Sequence, residues 1–251
     1  MEYAVLVDIT KCIGCRACQV SCKRWNELPG EITTLKTDWT NPPNLSYNTY
    51  THIRFNFDYN ANSDTSVWHF LNWRCMHCAN PACLEACPVK AIVKTDEGAV
   101  VINNEVCIGC KYCISACPFD IPKYNEQLEK VSKCHMCFDR IPEKEPACVQ
   151  ACPTDALVFD ERDKIIAMAT DRKAKINGYI YGDVDNKPLG GTGFIYVSDV
   201  PLTSLGVPEV GENLSLEVPI LSNSKLLLIP AVAGGLAYLV AWRKNRMEEK
   251  E

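Results

Sequence analysis

Sixteen cysteines in four sets of four constrain this chain of 251 residues more than any other feature. The spacing is clearest in Cys107-x2-Cys110-x2-Cys113-x3-Cys117-Pro118, where a compact loop presents three thiols and a proline ends the motif. This spacing is typical of a [4Fe–4S] loop in bacterial two-cluster ferredoxins. The other quartets keep its first and last gaps: Cys12, Cys15, Cys18 and Cys22; Cys75, Cys78, Cys83 and Cys87; Cys134, Cys137, Cys148 and Cys152. No cysteine is left over.

Two other uses of cysteine fit this pattern less well. A disulfide framework belongs to short secreted domains, whereas this chain is long and its thiols are bunched. Structural zinc takes two separated Cys-x2-Cys pairs and has no use for the third cysteine or for the proline. The sequence therefore predicts four [4Fe–4S] clusters.

The fourth cysteine of each loop serves the neighbouring cluster in two-cluster ferredoxins, so each quartet needs a partner. The second and third quartets flank two apolar runs, 91–95 and 99–102, around Asp96-Glu97-Gly98, which is typical of a β-hairpin. Quartet, hairpin and quartet make one ferredoxin unit, so the first and fourth quartets are left to pair across it. The predicted ligand sets are site 1, Cys12, Cys15, Cys18 and Cys152; site 2, Cys75, Cys78, Cys83 and Cys117; site 3, Cys107, Cys110, Cys113 and Cys87; and site 4, Cys134, Cys137, Cys148 and Cys22.

The predicted fold class is therefore α+β, with two ferredoxin-like two-cluster units, one inserted in the other, and a single C-terminal transmembrane helix. The predicted divisions are 1–74, first half of the outer unit with a hairpin; 75–122, inserted unit; 123–159, second half of the outer unit; 160–224, extension and linker; 225–243, membrane span; 244–251, charged tail.

Other elements follow from local patterns. The N-terminal run 1–8 predicts a strand and lacks the features of a signal peptide. We expect a short helix over 15–25 and a helix over 160–176 that ends at Asn177-Gly178. Strands are predicted at 47–57, 67–73 and 194–197, the last after a Gly-rich loop that lacks the fingerprints of a nucleotide site. Residues 200–217 are predicted to be a linker over the surface.

The four histidines are not predicted to be ligands. His77 and His135 lie inside Cys-x2-Cys pairs whose cysteines already supply the thiolates, and we expect them to tune the clusters instead. His52 and His69 lie on predicted strands, where we expect ordinary hydrogen bonds.

The uncharged run 226–242 predicts the membrane span. Three cationic residues follow it and only Lys225 lies just before it, so the positive-inside rule puts the C-terminus in the cytoplasm and the cluster domain on the periplasmic side. The small residues of this run suit packing against a partner helix in lipid. The net charge of -5 offers no basic face, so no nucleic-acid partner is expected.

Several motifs together resemble the iron–sulfur (beta) subunit of membrane-bound respiratory formate dehydrogenase, through nearly the whole chain. They are residues 8–26 with their Trp25-Asn26 end, Cys75-Met-His-Cys78, Cys117-Pro-Phe-Asp-Ile-Pro122, Glu145-Pro-Ala-Cys148, Gly190-Gly-Thr192 and the single C-terminal span. The quartets alone also fit the four-cluster subunits of other molybdenum and tungsten oxidoreductases, including dimethyl sulfoxide, nitrate and polysulfide reductases.

The resemblance implies an electron-transfer subunit. A catalytic subunit with molybdopterin or tungstopterin would oxidise formate, and this chain would pass the electrons to a membrane cytochrome b subunit and so to quinone, in a heterotrimer or a multimer of it. Four thiolates for every cluster leave no open iron site, which also argues against catalysis by this chain. The alternatives are the equivalent subunit of a hydrogenase or of another molybdoenzyme, and a metal-binding assembly or scaffold protein.

Overall fold

The part of the chain that the structure describes, residues 2–34, 39–60 and 65–212 of a computed structural model, alternates short helices with pairs of strands. Its strands are β1 (Tyr3–Asp8), β2 (Thr51–Asn60), β3 (Thr65–Arg74), β4 (Ile92–Lys94), β5 (Val100–Ile102), β6 (Lys123–Asn125), β7 (Lys130–Ser132), β8 (Leu157–Glu161), β9 (Tyr179–Tyr181) and β10 (Phe194–Ser198). Its α-helices are α1 (Ala17–Trp25), α2 (Ala82–Glu85), α3 (Tyr112–Ala116), α4 (Ala147–Gln150) and α5 (Arg162–Ile176). The mixed helix and strand content agrees with the predicted α+β class.

The N-terminal strand is central to a four-stranded sheet of order β8-β1-β10-β9. It pairs antiparallel with β8, with Val7 opposite Leu157, and parallel with β10, with Val5 opposite Phe194. Because β1 leads into the first quartet and β8 follows the fourth, this pairing brings two quartets that are far apart in sequence to the same end of the sheet.

The second and third quartets are joined in the same way on a smaller scale. The strand β4 follows the second quartet, β5 precedes the third, and the two pair antiparallel, with Ile92 opposite Ile102. The helices repeat this symmetry, because α1 packs against α4 and α2 packs against α3. Each pair of quartets therefore has one antiparallel strand pair and one helix pair.

The sheet is buried on both faces. Ala4 and Leu6 of β1 pack against Ile165 and Ala169 of α5. Val5 and Val7 face the opposite way, into the core that contains many of the cysteines. An apolar strand without polar alternation is the usual consequence of burial on both sides.

Most of the predicted elements are confirmed, with shifted ends. The helix expected from residue 160 begins at Arg162, because Asp160 and Glu161 still pair with β1. It ends as predicted at Asn177, which has a left-handed backbone with φ 50°. The strand expected from Tyr47 begins at Thr51, since residues 46–49 form a tight turn closed by a bridge between Ser46 and Thr49.

The prediction of a surface linker at 200–217 is wrong for the described residues of that segment. A 3-10 helix spans Leu202–Leu205, and Leu202, Leu205, Val207 and Val210 are buried in the main core. These apolar side chains have no helical or strand period, so their burial could not be inferred from the pattern.

Replacement of Leu202 by alanine tests this correction. Loss of a fully buried leucine costs about 2–5 kcal/mol, because the remaining cavity is only partly filled. We expect Leu202→Ala to lower the thermal unfolding temperature of the protein. Thr203→Ala, at an exposed neighbouring position, should leave this temperature within experimental error. Equal temperatures for both variants would contradict burial of the segment.

The predicted membrane span, 225–243, lies outside the described residues. Within the described ranges, no helix has the length and hydropathy of a membrane span.

Candidate metal centres

All four Cys-x2-Cys loops turn in the same way. The residue before the second cysteine has a left-handed backbone in each loop: φ is 68° at Gly14, 49° at His77, 68° at Gly109 and 58° at Met136. This turn directs backbone N–H groups toward the thiols. The N–H of Met136, for example, donates to Cys134 Sγ at 3.5 Å. Such concave groups of N–H donors favour a bound anion.

A short helix follows each loop and carries its third cysteine. Cys18 lies in α1, Cys83 in α2, Cys113 in α3 and Cys148 in α4. The fourth cysteine lies near the C-terminal end of the same helix, within it at Cys22 and beyond it in the other three quartets. The fourth cysteine of each quartet therefore lies about one helical turn beyond the third.

Three cavities are each lined by cysteines of two quartets. They hold the predicted sets of site 1, site 3 and site 4 respectively: Cys12, Cys15, Cys18 and Cys152; Cys87, Cys107, Cys110 and Cys113; and Cys22, Cys134, Cys137 and Cys148.

The four cysteines predicted for site 2 also lie together. Burial raises the pKa of Cys78 well above its ordinary value, and the thiolates of Cys75, Cys117 and Cys83 raise it further. Burial also raises the pKa of Cys83, to about 12, and Cys75 and Cys117 contribute to this increase. Cys117, from the third quartet, is therefore a neighbour of three cysteines of the second.

The four sites adjoin in the order 1, 4, 2, 3. At each junction, burial raises the pKa of one thiol and a cysteine of the adjoining site raises it further. Cys148 contributes to the raised pKa of Cys18, Cys75 to that of Cys134 and Cys83 to that of Cys113. At the two ends of this row, Cys15 of site 1 and Cys110 of site 3 are exposed. The row therefore reaches the surface at both ends.

The lining of these cavities fits an anionic, sulfur-rich group. Among the described residues, no group of three His, Cys, Asp or Glu side chains is arranged to hold a single metal ion. Buried cationic donors lie beside the thiols. Arg74 lines site 4, donates from Nη1 to Cys148 Sγ at 2.8 Å, and has a buried Nη2 without an acceptor in the described structure. Lys133, also buried, donates from Nζ to the carbonyl oxygens of Val100 and Cys134, and the nearby Cys75 favours its charged form.

His52 and His69 make the ordinary hydrogen bonds expected of them. His52 Nδ1 lies 3.1 Å from the carbonyl oxygen of Pro42, and His69 Nε2 lies 3.0 Å from Asp199 Oδ1. His77 Nδ1 accepts from the N–H of Val100 at 2.9 Å, and burial lowers the pKa of His77. The ring of His77 is therefore a neutral, buried part of the site 2 loop.

The glycine-rich loop 190–193 has a structural task that its sequence did not reveal. Gly193 N–H donates to the carbonyl oxygens of Met76 and His77, and Thr192 bridges to Cys78. A β-carbon at Gly193 would lie 2.7 Å from Met136 Cε and 3.0 Å from His77 Cβ. The loop thus holds the Cys-x2-Cys turn of the second quartet, and its glycine allows the close approach. The sequence shows only that this loop lacks the fingerprint of a nucleotide site, which does not identify its structural role.

Comparison with known proteins adds relatives to this geometry. Two family models described as a 4Fe-4S dicluster domain match residues 66–162 and 11–91. The formate dehydrogenase-O iron-sulfur subunit of Escherichia coli is 40% identical over 216 residues, which cover 83% of this chain and 71% of that protein. The formate dehydrogenase iron-sulfur subunit of Haemophilus influenzae is 37% identical over 246 residues, covering 94% and 78%. A component of the anaerobic dimethyl sulfoxide reductase of Escherichia coli is 32% identical over 211 residues, covering 76% and 94%.

Proposed function

Because this protein belongs to the family of formate dehydrogenase iron–sulfur subunits, we propose that it holds four [4Fe–4S] clusters, one at each of sites 1 to 4. It is an electron-transfer component of a formate dehydrogenase and not its catalytic subunit. One observation carries the proposed ligand sets: three cavities are each lined by three cysteines of one quartet and the fourth cysteine of another. Each bound cluster supplies reversible one-electron transfer.

The proposed domain plan is two ferredoxin units, one inserted in the other. The outer unit is built from 1–74 and 123–159 and the inserted unit from 75–122. Two features support this plan: β1 pairs with β8 as β4 pairs with β5, and α1 packs on α4 as α2 packs on α3. Sites 1 and 4 belong to the outer unit and sites 2 and 3 to the inserted one.

The proposed electron path follows the row of sites 1, 4, 2 and 3. Cys15 and Cys110 are exposed at its two ends, so a donor and an acceptor can each approach a terminal site without entering the protein. The thiols of the two middle sites are buried at nearly every position. This arrangement keeps solvent from the middle of the path and confines exchange with partners to its ends.

The partners proposed are a molybdopterin or tungstopterin catalytic subunit that oxidises formate and a membrane cytochrome b subunit that passes electrons to quinone. The uncharged run 226–242 would anchor the protein in the cell membrane beside the cytochrome, with the cluster domain on the periplasmic side. The names of the relatives, which are subunits of formate dehydrogenases or of a dimethyl sulfoxide reductase, support the catalytic partner.

Anaerobic isolation of the complex, followed by addition of formate, tests the function. We expect about sixteen non-haem irons per copy of this chain, beyond those of its partners, and EPR signals from several interacting reduced clusters. Zinc in place of iron and inorganic sulfide would contradict the clusters. Reduction by hydrogen but not by formate, or reoxidation by an S-oxide in a complex inert to formate, would assign the protein to a different oxidoreductase. Labile metal without a reversible redox signal would indicate an assembly protein.

A further inference from the structure

A series of buried polar side chains connects a thiol of site 1 to a thiol of site 4. Asn72 Nδ2 donates to Cys18 Sγ at 3.1 Å, and its Oδ1 accepts a hydrogen bond from Arg74 Nε. Arg74 Nη1 then donates to Cys148 Sγ at 2.8 Å. Arg74 is 1% exposed and Asn72 is 2% exposed. The two adjoining sites of the outer unit therefore share one hydrogen-bonded bridge.

The strand β3 positions both members of this bridge. Asn72 and Arg74 are two residues apart, so their side chains leave the strand on the same face. The hydroxyl of Tyr196 donates to the carbonyl oxygen of Asn72 at 3.0 Å, and the guanidinium of Arg74 lies 4.8 Å from the centre of the Phe194 ring. Packing against β10 therefore fixes the guanidinium before any ligand binds.

The charge of Arg74 faces cysteines of sites 1 and 4, which would be thiolates when the clusters are bound. Within the described part of the chain, the anions that act on it most are Cys148, Cys134 and Cys18, and no Asp or Glu is among them. A buried cation is costly unless an anion compensates it, and arginine stays protonated in proteins. Since these thiolates come from both sites 1 and 4, the guanidinium serves the two sites together.

We propose that Arg74 is a positioning residue shared by sites 1 and 4 and that it raises the reduction potentials of both clusters. This inference rests on the proposed function. An added electron makes a cluster more negative, so a fixed cation and N–H donors to its sulfurs favour the reduced form. The orphaned Nη2 at site 4 supplies a further donor to the cluster. Asn72 carries the effect to site 1 through Cys18.

Potentiometric titration of the whole complex, followed by EPR, tests this role without an activity assay. We expect Arg74→Gln to lower the reduced-to-oxidised ratio of the site 1 and site 4 clusters at least tenfold at a fixed ambient potential, which is about 59 mV for a one-electron couple. The clusters of sites 2 and 3 should keep their potentials. Arg74→Lys, which retains the charge but not the fork of donors, should restore part of the difference.

Arg54 provides the matched control. Its guanidinium stacks 4.1 Å from the centre of the Trp73 ring on the same hairpin, and no cysteine thiolate contributes to its lowered pKa. Arg54→Gln should leave all four potentials unchanged. If Arg74→Gln fails to assemble, Arg74→Lys and Asn72→Leu still decide the question, since both should lower the potential of site 1.

The outcomes of these titrations distinguish a failure of the proposed function from a failure of the inference about Arg74. A wild-type complex without four reducible clusters would overturn the proposed function. Four clusters whose potentials are unchanged in the Arg74 and Asn72 variants, or shifted equally at all sites, would overturn the inference about Arg74 alone.

Discussion

Cys117→Ala should damage the cluster of site 2, although Cys117 belongs to the quartet that supplies three ligands to site 3. Its thiol lies among Cys75, Cys78 and Cys83 and acts on the pKa of two of them. Loss of this ligand should convert the site 2 cluster to a three-iron form or remove it. Iron analysis and EPR of the complex should then show up to four fewer irons per chain and an unchanged site 3 signal.

The matched variant is Cys113→Ala, whose thiol lines the site 3 cavity together with Cys87, Cys107 and Cys110. It should remove the site 3 signal and leave site 2 intact. Damage confined to site 3 in both variants would refute the exchange of fourth cysteines between quartets. If Cys117→Ala damaged both sites while Cys113→Ala damaged only site 3, the folding of site 3 would depend on site 2.

Gly109→Ala should strongly destabilise the protein, although it leaves all sixteen cysteines in place. A β-carbon at Gly109 would lie 2.2 Å from the carbonyl oxygen of Glu129, and the backbone there has φ 68°. The clash is with backbone, so it cannot be relieved by a rotamer change. Overpacking typically costs 1–3 kcal/mol and the left-handed backbone about 1–2 kcal/mol, so we expect a loss of roughly 2–5 kcal/mol. Thermal unfolding of the holoprotein and its iron content measure this loss.

Gly206→Ala separates the two contributions. Gly206 also has a left-handed backbone, with φ 80°, but a β-carbon there would meet nothing within 4 Å. This variant should lose only the backbone cost, about 1–2 kcal/mol, and keep all of its iron. If Gly109→Ala were no worse than Gly206→Ala, the close contact between the site 3 loop and the turn before β7 would be wrong.

The four quartets were recognisable in the sequence because their spacing is a property of a local loop and helix, whereas the exchange of fourth cysteines between quartets rested on the rule for two-cluster ferredoxins. The hairpin between the second and third quartets was predictable for the same reason, since Asp96-Glu97-Gly98 is a local turn signal. The partnership of the first and fourth quartets followed only by elimination. The strand β8 and its pairing with β1 were not predicted, and neither was the parallel pairing of β1 with β10, because nothing in a short apolar run identifies its neighbours in a sheet.

Features that depend on tertiary contacts were missed. His77 and Met136 adopt the left-handed backbone that glycine adopts at Gly14 and Gly109, so the shared turn is invisible in two of the four loops. Asn72 and Arg74 appear in sequence as the polar end of a strand. Their role follows only from the approach of Cys18 and Cys148, which lie 54 and 74 residues away along the chain respectively.

The pairing of β1 sets the order in which the molecule can be completed during synthesis. The strands β4 and β5 are separated by a five-residue turn and can pair as soon as they leave the ribosome. The first strand to be made must instead wait for β8 and then for β10, which ends at Ser198. Until then its two edges are open to other polypeptides. A nascent polypeptide stalled before this residue would therefore expose an apolar strand beside an inner unit whose hairpin is already paired, and it is at this stage that a chaperone or a partner subunit would be needed most.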